Sequence, residues 1–214
     1  MSNNQSHRNI EGKGRLFVIS APSGAGKTSL IKDVVEKTKN LVVSVSHTTR
    51  KPRSGEVDQE DYFFISEKEF SRMSTNNEFL EEAVVFDHSY GTSANIMRAS
   101  LKLNKNVILE IDWQGARSIS QSGLDNTSIF ILPPSLRELE KRLTNRGDDP
   151  EIVQRRMRDA INEITHCSEY DHIIINDDFA EAADALASLI LDPTYRQTDQ
   201  NEKLKTLLAE LMPK

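Results

Sequence analysis

An α/β fold with a mainly parallel, five-stranded core sheet is what the 214 residues predict, and three observations carry it. Five short runs rich in β-branched and other apolar residues recur along the chain: LFVIS (16–20), LVVSV (41–45), VILEI (107–111), SIFIL (128–132) and HIIIN (172–176). Several are nearly continuous apolar stretches rather than alternating ones, the pattern of strands covered on both faces. Segments with helical signals separate most of them, and strands alternating with helices assemble into a parallel sheet.

Taken in order, residues 1–14 (MSNNQSHRNIEGKG) have no apolar centre and read as a flexible tail, neither signal peptide nor anchor. After LFVIS comes SAPSGAGKTSL (20–30), then a helical stripe of Leu30, Ile31, Val34 and Val35. Residues 46–97 break the rhythm. They hold SHTTRKPRSGEVDQEDYFF, a short capped segment SEKEF, and FLEEAVVFDHSYGTS, whose turn residues and aromatic strands predict an inserted lobe. The core resumes over 98–136. Ser135 and Glu138 form a capping box ahead of Leu136, Leu139 and Leu143, and Asp149-Pro150 opens the next helix. Residues 137–168 form a basic helical unit carrying Arg137, Lys141, Arg142, Arg146, Arg155, Arg156 and Arg158. The core segments are then 15–45, 98–136 and 169–214. The last includes an Ala- and Leu-rich helix over 182–191 and a stripe of Leu204, Leu207, Leu208 and Leu211 that docks on the core.

Composition bounds the function. A net charge of −6 argues against a general nucleic-acid binder, since phosphate backbones demand positive surface. The single cysteine, Cys167, permits no intrachain disulfide and reads as a packing residue in a reducing compartment. No apolar run approaches a membrane span, so a cytoplasmic protein with no membrane partner is expected; a homo-oligomer stays open.

Residues 21–28, A-P-S-G-A-G-K-T, match the phosphate-loop pattern G-x-x-x-x-G-K-[ST] except at Ala21. The residue types have physical reasons. A glycine-rich turn between strand and helix points successive N–H groups inward, and the helix that starts there adds its positive end. The ATP-binding set is Ala21, Pro22, Ser23, Gly24, Ala25, Gly26, Lys27, Thr28 and Ser29, with Lys27 on the β- and γ-phosphates and Thr28 on Mg²⁺. A phosphate loop names a nucleotide and leaves the acceptor unspecified.

The acceptor is suggested by further runs: SVSHTTRKPRSGEVDQEDYFF (44–64), FLEEAVVFDHSYGTS (79–93), VILEIDWQGA (107–116), IFILPPS (129–135), KRLTNRG (141–147) and IINDD (174–178). From about residue 14 onward the chain resembles guanylate kinase, in particular its bacterial members, which commonly carry alanine where Ala21 stands. The resemblance implies a phosphate-loop (P-loop) NTPase core, a GMP-binding lobe over 46–97 and a mobile lid over 137–168. It implies ATP and GMP as substrates, with dGMP as a further acceptor, in purine nucleotide metabolism. It places the GMP phosphate on Arg50, Arg53, Tyr62 and Tyr90, residue types suited to a dianion. The guanine falls to Glu81, Asp112, Ser46 and Thr92, and Gly91 completes the GMP-binding set. Guanine offers N1–H and N2–H₂ as donors, so carboxylates facing them discriminate against adenine by roughly 10⁴ or more, because a wrong base leaves buried polar groups unpaired.

Transfer between two phosphates needs alignment, Mg²⁺ and positive charge rather than a protein nucleophile. Lys27, Arg50, Arg142, Arg146 and Arg156 are the catalytic candidates. Arg142 and Arg146 lie four apart on one helix face, and Arg155 is the alternative to Arg156. Asp112, at a strand end, is also a candidate to order Mg²⁺ through water, while the facing of Glu110 is left open. Asn176 resembles a position near the ATP ribose or base, or alternatively belongs to a helix N-cap cluster. His47 and His88 lack metal spacing and read as structural. Two other functions compete: an AMP or UMP kinase, which the Glu81, Asp112 and Ser46 set disfavours, and a non-catalytic guanylate-kinase-like scaffold module. Intact Lys27, Thr28 and basic-helix arginines disfavour the module.

Overall fold

In the computed structural model the described residues are 14–85, 87–145, 149–192, 194–195 and 201–211. All five predicted runs form strands: β1 (Leu16–Ser20), β2 (Leu41–Val43), β7 (Asn106–Glu110), β8 (Thr127–Leu132) and β9 (His172–Ile175). They make one sheet in the order β2-β7-β1-β8-β9, and every pairing is parallel. The helices are α1 (Lys27–Lys37), α2 (Glu67–Thr75), α3 (Ala94–Lys102), α4 (Trp113–Gln121), α5 (Leu136–Thr144), α6 (Pro150–Thr165), α7 (Phe179–Leu191) and α8 (Asn201–Leu211).

Side chains alternate across the central strand β1, which explains its unbroken apolar sequence. Phe17 and Ile19 pack on Leu30, Ile31 and Val34 of α1 and on Leu186 and Ile190 of α7. Leu16 and Val18 face the other way, into a layer with Met97 of α3 and Ile119 of α4. On the far side of β8, Leu207 and Leu211 of α8 close over Phe130, Leu132 and the buried Cys167. The C-terminal leucine stripe therefore covers the chain's own core. No helix among the described residues is long and apolar enough to cross a membrane.

Residues between β2 and α3 build a second, four-stranded sheet, ordered β4-β3-β6-β5, from β3 (His47–Thr48), β4 (Phe63–Phe64), β5 (Phe79–Val85) and β6 (His88–Ser93). Its hairpin pairs Glu81 with Thr92. The SEKEF segment is the start of α2: the Ser66 hydroxyl accepts the Glu69 N–H, and Phe70 lies 4.6 Å from the Phe79 ring. His47 stacks on Phe63 at 4.5 Å, a packing role.

One register of the core sheet matters for the site. Ile19 pairs with Glu110, so β1 and β7 end side by side and deliver the residues after Ser20 and after Glu110 to one edge. Ligands of open parallel sheets bind outside these carboxyl ends.

Candidate active site

Strand β1 stops at Ser20, and α1 starts at Lys27 after a turn closed by the Ala25 N–H to the Pro22 carbonyl, 3.0 Å. Gly24 and Gly26 sit at φ +93° and +94°, the left-handed region where a side chain is strained. Space forbids one as well. A Cβ on Gly24 would come within 2.9 Å of Leu139, and one on Gly26 within 2.4 Å of the Asn176 amide. Ala21 lies outside the left-handed region, so its departure from glycine needs no backbone compensation.

The start of α1 is also open. Helices α2, α3, α4, α5 and α7 each have a capping side chain, Ser66, Ser93, Asp112, Ser135 and Asp178 respectively. Helix α1 begins on Gly26 with no side-chain cap and no acidic residue in its first turn. Its orphan N–H groups and positive dipole end are thus left for an anion. Lys27 Nζ donates to the Ile111 carbonyl at 3.2 Å and lies 4.0 Å from Glu110; Thr28 Oγ1 donates to Glu110 Oε1 at 2.5 Å.

Facing this loop across a cleft of about 260 Å³ are residues of the second sheet. The guanidinium of Arg50 is forked onto Glu56 at 2.8 and 2.9 Å and lies over the Tyr62 ring, 5.3 Å from its centroid. Glu56 also accepts the Arg53 N–H at 2.7 Å, so one carboxylate sets the loop that carries both arginines. Burial pushes the Tyr62 hydroxyl up to about 12, keeping it a donor. The Tyr62 and Tyr90 rings meet edge-on at 5.9 Å.

Deeper in, Glu81 is 6% exposed and accepts the Thr92 hydroxyl at 2.6 Å; Ser46 Oγ lies 3.5 Å from Thr92 Oγ1. Burial above all, with Asp112 adding to it, raises the Glu81 carboxyl to about 7. Gly115 of α4 makes room for it, since a Cβ there would meet Glu81 Oε2 at 2.5 Å. Asp112 caps α4, accepting the Gly115 N–H and the Gln114 amide, both at 2.9 Å, and still lines the cleft. A basic, hydroxyl-lined end for phosphates and an acidic end for hydrogen-bond donors thus share one cavity with a phosphate loop.

Comparison with known proteins decides what kind of site this is. The guanylate kinase family model matches residues 13–192. The chain belongs to the guanylate kinase family. The guanylate kinase of Pseudomonas fluorescens (strain Pf0-1) is 48% identical over 200 residues, covering 93% of this chain and 97% of the relative. That of Hydrogenovibrio crunogenus is 48% identical over 199 residues, covering 92% and 97%. The crystal structure of guanylate kinase from Anaplasma phagocytophilum superposes with a TM-score of 0.72 at 32% identity, covering 92% of this chain and 96% of that one. The chain is accordingly a nucleoside-monophosphate kinase, and its reaction is the ATP-dependent phosphorylation of GMP to GDP.

Not every guanylate-kinase position expected from the sequence reaches the cleft. Its wall takes in Ala21, Pro22, Ser23, Gly24, Gly26 and Lys27 through Ser29 at one end, and Ser46, Arg50, Arg53, Tyr62, Glu81 and Tyr90 at the other. Ala25 turns inward and is fully buried. Gly91 lies under the Phe79 ring, 2.8 Å from where its Cβ would be, and Thr92 acts through Glu81. Asn176 is 4% exposed and donates to the Ala25 carbonyl at 2.7 Å, bracing the loop from behind; Asp178, not Asn176, caps α7. Arg142 is turned the same way, towards the carbonyls of Ala25 (3.4 Å) and Asn176 (3.2 Å), and is held by Glu138. Arg156 is half-buried on α6 outside the cleft wall, while Arg155 reaches Asp87, in the turn of the β5–β6 hairpin, at 3.2 Å. Arg146 lies outside the described residues.

Two acidic residues in the wall were not assigned a role from the sequence. Glu110 contacts both Thr28 and Lys27, and it is Glu110 rather than Asp112 that stands beside the Thr28 hydroxyl. An acid at the end of the strand next to the loop was visible signal. Glu163, from α6, is the other.

Proposed function

We propose that this guanylate kinase binds its two nucleotides end to end in the one cleft, ATP on the loop after β1 and GMP against the second sheet. The observation that carries the reading is the shared wall: Gly24, Gly26 and Lys27 at one end, Arg50, Tyr62 and Glu81 at the other. The loop amides and the start of α1 take the β- and γ-phosphates of ATP, with Lys27 neutralising the γ-phosphate. Arg50, Arg53, Tyr62 and Tyr90 hold the GMP phosphate, and Glu81, Asp112 and Ser46 read the guanine.

A GMP phosphate oxygen, ionised near neutral pH, attacks the γ-phosphorus. The bond between that phosphorus and the ADP bridging oxygen breaks in line, giving GDP and ADP. No protein nucleophile enters. Thr28 and Glu110, two adjacent hard oxygen donors, fit Mg²⁺, which takes one or two protein oxygens and completes its shell with phosphate and water. When bound, the ion supplies charge neutralisation across the phosphates. Residues 137–168 act as a lid that keeps water, a competing acceptor, from the γ-phosphoryl group. Arg155 and Arg156 belong to that lid, and so does Arg146. Arg142 works from behind the loop, on its carbonyls. dGMP is accepted too, since the groups facing the nucleotide read its base and phosphate. The reaction belongs to cytoplasmic purine nucleotide metabolism.

A coupled assay of ADP formation with GMP, dGMP, AMP and UMP tests the assignment. Turnover with GMP and dGMP, and none above background with AMP or UMP, is expected. Comparable turnover with AMP would contradict the role given to Glu81.

A further inference from the structure

Glu163 belongs to no motif that the sequence singles out, yet it reaches the phosphate loop. It projects from the last turn of α6 (Pro150–Thr165), lines the cleft, and accepts the Ser23 N–H through Oε2 at 3.2 Å. The Ser23 amide lies at the start of the loop, between the Pro22 carbonyl that closes the turn and Gly24 in its left-handed conformation. Whatever holds that amide sets the peptide plane from which the next N–H groups are aimed.

A carboxyl group is an unusual neighbour for an anion site, because it repels the ligand that the site is built to hold. Here its surroundings reduce the conflict. Burial, assisted by Asp112 from the start of α4 and Asp159 of its own helix, pushes Glu163 up to about 7, against the pull of Lys27 and the Ser23 amide. Near neutrality the group is then partly uncharged while still offering an acceptor oxygen. A side chain needed only for packing would have no reason to be an acid at this point.

We propose that Glu163 is a positioning residue for ATP: its carboxyl oxygen holds the Ser23 amide, fixes the loop in its phosphate-binding form and ties α6 to it. This rests on the loop being the ATP site.

Calorimetric titration of a non-hydrolysable ATP analogue with Mg²⁺, and separately of GMP, into the wild type, Glu163→Ala and Glu163→Gln tests it. Loss of one such bond predicts an analogue Kd raised about tenfold in Glu163→Ala, with the GMP Kd unchanged. Glu163→Gln, which keeps a carbonyl oxygen for Ser23, is expected to restore analogue binding to within about threefold of wild type. Equal weakening of both nucleotides in Glu163→Ala would overturn the proposal, as would an unaltered analogue Kd or no rescue by Gln. If Glu163→Ala does not fold, Glu163→Asp, one methylene too short, makes the same comparison. Lys27→Ala separates the two levels: unchanged analogue binding there would overturn the loop assignment itself, and the present proposal with it.

Discussion

At the scale of single residues, the acidic end of the cleft depends on a carboxylate that the fold makes expensive to ionise. Burial and the nearby Asp112 both oppose the charge on Glu81, the Thr92 hydroxyl that donates to it offsets only part of that cost, and a ligand that brings hydrogen-bond donors relieves the rest. Glu81→Gln replaces one acceptor oxygen by an N–H₂ aimed at guanine donors. GMP affinity is predicted to fall about 100-fold or more, with ATP affinity changed less than about threefold, as titrations with each nucleotide would show. Equal losses would contradict the assignment. With guanine donors taking the ionised carboxylate, as proposed, and burial holding Glu81 up to about 7, GMP binding should release protons around neutral pH. Glu81→Gln should abolish that share of the release, measurable from the buffer dependence of the binding enthalpy.

Elements carry the next level of explanation. The five core strands were legible in the sequence because each is an apolar run at a length that suits a buried parallel strand, and the loop was legible because Gly, Lys and Thr spacing has a direct backbone meaning. Contacts between elements were not. Glu163 and Arg142 come from α6 and α5, more than 100 residues away from the loop they touch, and no local pattern encodes that meeting. Arg142 looked like a partner of Arg146 on one helix face, but its fork is aimed at the loop's back because Leu139 and Leu143 of the same helix pack on Gly24. Arg142→Ala is therefore predicted to raise the KM for ATP about tenfold, losing the two carbonyl contacts, while the KM for GMP stays near wild type. Steady-state kinetics with each substrate varied would decide; a fall in kcat alone, at constant KM for ATP, would return Arg142 to the transfer step. Gly115 and Glu56 escaped notice for a related reason: their meaning is the space left for Glu81 and the orientation given to Arg50.

For the whole molecule, binding groups held away from their solution ionisation state set a pH dependence of stability. Glu81 and Glu163 are both raised from 4.5 to about 7 by burial, so the folded chain keeps protons that the unfolded chain has released. Their contribution is fully present below pH 4.5 and is lost as pH rises through 7. Glutamine does not titrate. The Glu81→Gln, Glu163→Gln double variant should gain on the wild type as pH rises from 5 to 8, by roughly 3 °C or more in melting temperature. Comparing the two proteins at each pH cancels His47, whose value burial lowers and whose effect has the opposite sign. A constant difference across that range would show that the two carboxyls are not perturbed in the folded chain.

The central claim is that the loop after β1 and the Glu81 end of the second sheet are two halves of one cleft. Inhibition by adenosine and guanosine joined through a 5′,5′-pentaphosphate chain tests it most directly, since such a molecule can span both halves at once. Competition with ATP and with GMP alike, at a Kd well below that of either nucleotide, is the predicted result. Competition with one nucleotide and indifference to the other would contradict it.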